Sequence, residues 1–93
     1  MSKKVFSGTN QVEVEIIISK DSFADYGLIA NTVAMHHGIV HEYSIDDNGV
    51  KTLKCVTNDL VYKMLKDYSR GFSSEERMIE RIEEDKRVLI FTA

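Results

Sequence analysis

The stretch QVEVEIIIS, Gln11 to Ser19, constrains the fold of this chain more than any other. Val12, Val14, Ile16 and Ile18 alternate with Glu13, Glu15 and Ile17. A period of two is the signature of a strand with one face in a core. Such a strand must be covered, so the rest of the chain has to supply both sheet partners and a second layer.

The next segment, SKDSFADYGLIANTVAMHHG, has the pattern of that layer. Asp21 or Ser22 offers an N-cap, and Asp25 falls in the first turn, where the helix dipole favours an acid. Tyr26, Ile29, Ala30, Val33, Ala34 and His37 recur at helical spacing. Gly38 is placed to close the helix in a left-handed conformation.

IVHEYSIDDNGVKTLKCV is a β-hairpin whose register depends on its turn. A two-residue Asn48-Gly49 turn would set Tyr43 opposite Lys54 and Glu42 opposite Cys55, mixing the faces. A three-residue loop, Asp47-Asn48-Gly49 with Gly49 left-handed, sets Tyr43 opposite Leu53, His41 opposite Cys55 and Val40 opposite Val56. It also makes an attractive Glu42–Lys54 pair. The three-residue loop is the expectation.

Thr57 or Asn58 caps a second helix, Asp59 to about Arg70, with a core stripe of Leu60, Val61, Met64, Leu65 and Tyr68 and a stop at Gly71. Ser73 and Glu76 form a capping-box pattern for a third helix to about Lys86, burying Met78, Ile79 and Ile82. RVLIFTA then closes the chain as a strand. The expected fold class is α+β in the order β-α-β-β-α-α-β, over roughly residues 11–92. At the level of element order this is similar to the ferredoxin-like split βαβ pattern, with helices on one sheet face and the second helix broken near Gly71. No family motif accompanies the order, and an open α+β sheet with another strand order is the alternative. At 93 residues, a single domain spanning 1–93 is expected, with residues 1–10 as a flexible arm or an edge strand.

Val88, Leu89, Ile90 and Phe91 place apolar groups on both faces of the last strand, whereas one helical layer shields only one. The expectation is that Val5 and Phe6 fold over the outer face, or that a second subunit does. The latter makes a homodimer through Ile17, Val40, Val56, Leu89 and Phe91.

Charge is distributed unevenly. Between Val5 and Val50, Glu13, Glu15, Asp21, Asp25, Glu42, Asp46 and Asp47 face a single base, Lys20. Between Lys51 and Phe72, Lys51, Lys54, Lys63, Lys66 and Arg70 outnumber Asp59 and Asp67. Such asymmetry bears on partners, not on fold. One cysteine, Cys55, excludes an intrachain disulfide and suits a reducing, cytoplasmic setting. No apolar run reaches the length of a membrane span, and MSKKVFSGTN has no apolar core of a secretory signal.

VAMHHGIVHEY holds all three histidines. His37 and His41 with Cys55 offer N, N and S ligands suited to zinc. The plainer reading is a histidine at a helix end, another in a strand, and a small buried hydrophobe. The spaced ligand pairs of known zinc motifs are missing, so neither metal nor cofactor is expected. Neither a phosphate-cradling glycine loop nor a serine elbow occurs, and an inward mid-strand cysteine makes a poor nucleophile. The chain is therefore read as non-enzymatic.

The expected function is that of a small regulatory or inhibitory binding protein, a homodimer with a macromolecular partner. The favoured partner is a basic, nucleic-acid-binding protein, met by an acidic face of Glu13, Glu15, Asp46, Asp47, Glu76, Glu80 and Glu83 that mimics nucleic-acid phosphates. One alternative is an RNA- or DNA-binding module using Lys51, Lys54, Lys63, Lys66 and Arg70, with Tyr62 and Phe72 nearby for stacking. Another is a small-ligand or metal sensor.

Overall fold

A computed structural model describes residues 11–22, 24–67 and 77–92. Within them the order is β1 (Gln11–Ile18), α1 (Tyr26–Met35), β2 (Ile39–Ile45), β3 (Lys51–Asn58), α2 (Asp59–Lys66), β4 (Arg77–Ile82) and β5 (Arg87–Thr92). The strands form one mixed sheet in the order β2-β3-β1-β5-β4. It is an α+β fold, but not the ferredoxin-like one. β1 pairs antiparallel with β3, and β3 with β2, as that pattern requires. The place beside β1, however, is taken by β5, running parallel to it, and β4 lies outside β5 as its antiparallel partner.

The expected third helix is the source of that difference. Met78, Ile79 and Ile82 suit a helical stripe, and Glu and Arg are good helix formers. Yet Arg77–Ile82 is strand β4, closed onto β5 by a turn in which Glu83 N–H donates to the Lys86 carbonyl at 2.9 Å. Pairing with a strand as apolar as β5 outweighs a weak local preference. The capping residues Ser73 and Glu76, and Gly71, lie outside the described residues.

The helices cover one sheet face. Val14, Ile16 and Ile18 of β1, Leu53 and Cys55 of β3, and Leu89 and Phe91 of β5 meet Ile29 and Val33 of α1 and Val61, Tyr62 and Leu65 of α2 in a single core. Each large side chain fully buried there stabilises by about 1.5–3 kcal/mol before entropy is counted. α2 is rolled relative to its expected stripe: Tyr62 is inside, while Leu60 and Met64 are exposed. Asn58 caps it as expected, its Oδ1 accepting from Val61 N–H at 2.8 Å. For α1 the cap is Asp25 rather than Asp21 or Ser22. Its Oδ1 accepts from Gly27 N–H at 2.8 Å and Leu28 N–H at 3.2 Å.

Two turns show the local chemistry. The β2–β3 hairpin has the three-residue loop: Asp46 N–H donates to the Val50 carbonyl at 3.0 Å, and Gly49 sits at φ 84°. Tyr43 opposes Leu53 and Glu42 opposes Lys54, but the register shifts between Val40 and Glu42. His41 is the extra residue, so Val40, not His41, opposes Cys55, and Ile39, not Val40, opposes Val56. At the end of α1 the left-handed residue is His37, at φ 66°, not Gly38.

The apolar dimer face does not form as expected. Leu89 and Phe91 are fully buried under the helices, and Val40 packs against the same core. Ile17 and Val56 do lie on the outer face, half-buried, where Ile17 stands beside Ile90. A charged row crosses that face: Glu42, Lys54, Glu15, Val88 and Arg81 follow one another across the five strands. Lys86 Nζ lies 2.7 Å from Glu15 Oε1, and Val88 is only 1% exposed. The outer face is therefore amphiphilic, and β5 is buried on both sides at Val88 and Leu89 within one chain.

Candidate binding site

The sequence-selected acids divide among three places. Glu13 and Glu15 lie on the outer face of β1. Asp46 and Asp47 sit at the hairpin tip, near the C-terminal end of β1, where Asp46 Oδ1 accepts from Asn48 N–H at 2.8 Å and Val50 N–H at 3.0 Å. That is turn chemistry. Glu80 is on the helix side of β4, Glu83 begins the β4–β5 turn at the opposite end of the sheet, and Glu76 lies outside the described residues. A single row of phosphate-like carboxylates is not what these positions make.

A different acidic cluster is assembled at the N-terminal end of β1. A cleft of about 320 Å³ is lined by Gln11, Val12, Glu13, Asp59, Glu84, Asp85, Lys86 and Arg87. Three elements build it: the start of β1, the first residue of α2, and the tight β4–β5 turn. Asp59 suits the N-terminus of α2 because the helix dipole favours a carboxylate there. Lys86 is held by Glu15, and that hydrogen bond and charge raise its pKa. Glu13 Oε2 lies 3.0 Å from His41 Nε2. Among the described residues, Asp59, Glu84 and Asp85 make no ion pair. Sequence reasoning missed these three because it placed Glu84 and Asp85 on a third helix and so gave Asp59, at the start of the second, no acidic neighbours. No local signal marks them: Glu83-Glu84-Asp85-Lys86 holds none of the glycine, asparagine or proline that flags a hairpin turn, and only the pairing of β4 with β5 places it.

The basic stripe is also divided. Lys51 lies on the helix side of the sheet, its ammonium 5.6 Å from the Tyr26 ring, which stacks on Tyr43 at a centroid distance of 4.0 Å. Lys54 is on the outer face, 3.9 Å from Glu42. Lys63 and Lys66 line a cleft between α2 and β4 with Asp67, Met78 and Glu80. Arg70 and Phe72 lie outside the described residues.

Lys66 belongs to a compact latch. Tyr62 O–H donates to Glu80 Oε2, and Lys66 Nζ lies 3.4 Å from the same oxygen. The Tyr62 hydrogen bond, with Lys66, holds Glu80 below the usual carboxylate range. Burial first, and then Glu80, push the Tyr62 phenol up. A depressed carboxylate contributes stability above its unfolded pKa and loses it as pH falls through the folded value. A raised phenol contributes below its unfolded pKa and loses it as pH rises. Tyr62→Phe should therefore cost about 1 kcal/mol at neutral pH. It should also flatten both limbs of a stability profile taken by urea denaturation from about pH 3 to pH 11. A profile unchanged in shape would show that the latch does not contribute.

His37, His41 and Cys55 are not brought together. His37 is exposed at the end of α1, and His41 turns to Glu13. Cys55 is fully buried on the helix side, and burial pushes its thiol up to about 12. No group of three or more potential metal ligands is assembled among the described residues. No helix among them is long and apolar enough to cross a membrane.

The class these observations define is a small α+β protein, which among the described residues has a five-stranded mixed sheet with two helices on one face and an acidic cleft at one end. Compared with protein-family models, curated proteins and solved structures, the chain matches none.

Proposed function

We propose that this chain is a small non-catalytic regulatory binding protein that acts as a homodimer in the cytoplasm and takes up a basic segment of another protein. The observation that supports this most is the cleft in which Glu13, Asp59, Glu84 and Asp85, four carboxylates drawn from three elements, outnumber Lys86 and Arg87 in one concave site. Such a site steers Lys- and Arg-rich segments and pairs with them on arrival. The reducing setting agrees with Cys55, held as a buried thiol. The nucleic-acid reading has less support, since Lys54 and Lys66 are each already beside a glutamate.

Calorimetric titration of the whole chain with a Lys/Arg-rich peptide, and separately with a single-stranded oligonucleotide, tests the reading. The peptide should bind and weaken several-fold between about 50 and 200 mM salt. Glu84→Lys with Asp85→Lys should abolish the interaction. Binding of the oligonucleotide instead, lost in Lys63→Glu with Lys66→Glu, would overturn it in favour of the basic residues.

A further inference from the structure

Helix α1 carries no charged residue along Tyr26–Met35, and its solvent side is unlike that of a helix meant to stay wet. Ile29 and Val33 face the core. On the opposite side, at i, i+3 and i+7, stand Leu28, Asn31 and Met35, with Leu28 50% and Met35 69% exposed. Leu28 and Met35 are two turns, about 10.5 Å, apart with Asn31 between them. Gly27 and Ala34 flank this line and, with Ala30 and Val40, floor the open groove beside β2. The acid Asp25 caps one end of the helix, and the imidazoles of His36 and His37 close the other.

This surface is complementary to itself when reversed. We infer that α1 is the homodimer contact, packing antiparallel on α1 of a second copy about a two-fold axis near Asn31. Leu28 of one copy then meets Met35 of the other, twice by symmetry. Asn31 meets Asn31, amide to amide, fixing the register as a lone asparagine does in an apolar helix seam. Asp25 of each copy comes to the His36–His37 end of the other, setting a carboxylate against two imidazoles. The antiparallel dipoles are favourable too. A charged partner helix would gain nothing from an uncharged line, whereas a second copy sets leucine on methionine, amide on amide and a carboxylate acceptor beside imidazole together.

This inference rests on the homodimer of the proposed function and names its surface, replacing the sheet face. Sedimentation of the full chain over a concentration series tests both. Wild type should show a species of twice 10.6 kDa. Leu28→Lys alone and Met35→Glu alone should each weaken self-association at least about tenfold, because a charge then faces an apolar side chain. The two changes combined in one chain should restore the dimer, since the new lysine meets the new glutamate across the axis. Both sites are exposed, so circular dichroism of each variant should match wild type. A wild type that stays monomeric at high concentration overturns both the homodimer and this surface. A dimer unaffected by the single changes, or not restored by the pair, overturns the α1 contact and leaves the homodimer standing on another face.

Discussion

Gly38→Ala should lower the unfolding free energy by about 3 kcal/mol, read as a shift of the urea midpoint at unchanged slope. A Cβ at this position would lie 2.6 Å from Val33 Cγ1 and 2.7 Å from the Val56 carbonyl oxygen. Neither neighbour can yield. Val33 is fully buried, and Val56 sits in β3, held between β1 and β2 by both ladders. Gly38 N–H also donates to the Val33 carbonyl at 2.8 Å, fixing the backbone where the helix turns into β2. The glycine is there for close approach. The left-handed turn is made by His37, so a loss below about 0.5 kcal/mol would show that the α1–β2 junction relaxes freely.

Phe91→Ala should cost about 4 kcal/mol, the middle of the range for a large aromatic in a sealed core. Phe91 is 0% exposed on β5, beside Ile18 of β1 and Met78 of β4. Its removal opens a cavity at the joint between the sheet centre and the β4 edge. Because the side chain faces the helices, the variant should keep wild-type self-association wherever it remains folded. A weakened dimer with little loss of stability would return Phe91 to an interface.

Elements whose neighbours are close in sequence were legible. The alternation of Val12 to Ile18 gave the strand and its inward face, and Asp47-Asn48-Gly49 gave the loop of the hairpin. Asn58 was legible as a cap because its acceptor reaches an N–H three residues on. The misreadings share a cause. Arg77–Ile82 has helical spacing and helix-forming residues, and only pairing with β5 makes it a strand. His41 fits a regular ladder until the bulge turns it to Glu13. Leu60 and Met64 fit an apolar stripe as well as Tyr62 does, and the angle at which α2 meets the sheet decides which is buried.

The candidate site was less legible still. Glu13 was picked out as one acid among many. Asp59, Glu84 and Asp85 join it because β5 runs parallel to β1, bringing the β4–β5 turn to the start of β1. The sequence by itself determined β1, the β2–β3 hairpin with its three-residue loop, β5 and the amount of apolar surface to be covered, since these follow from side-chain direction and backbone sterics within a few residues. Only the tertiary structure decided strand order, the burial of β5 on both faces and which carboxylates share a cleft. Those depend on contacts between segments tens of residues apart, whose energies no local pattern carries.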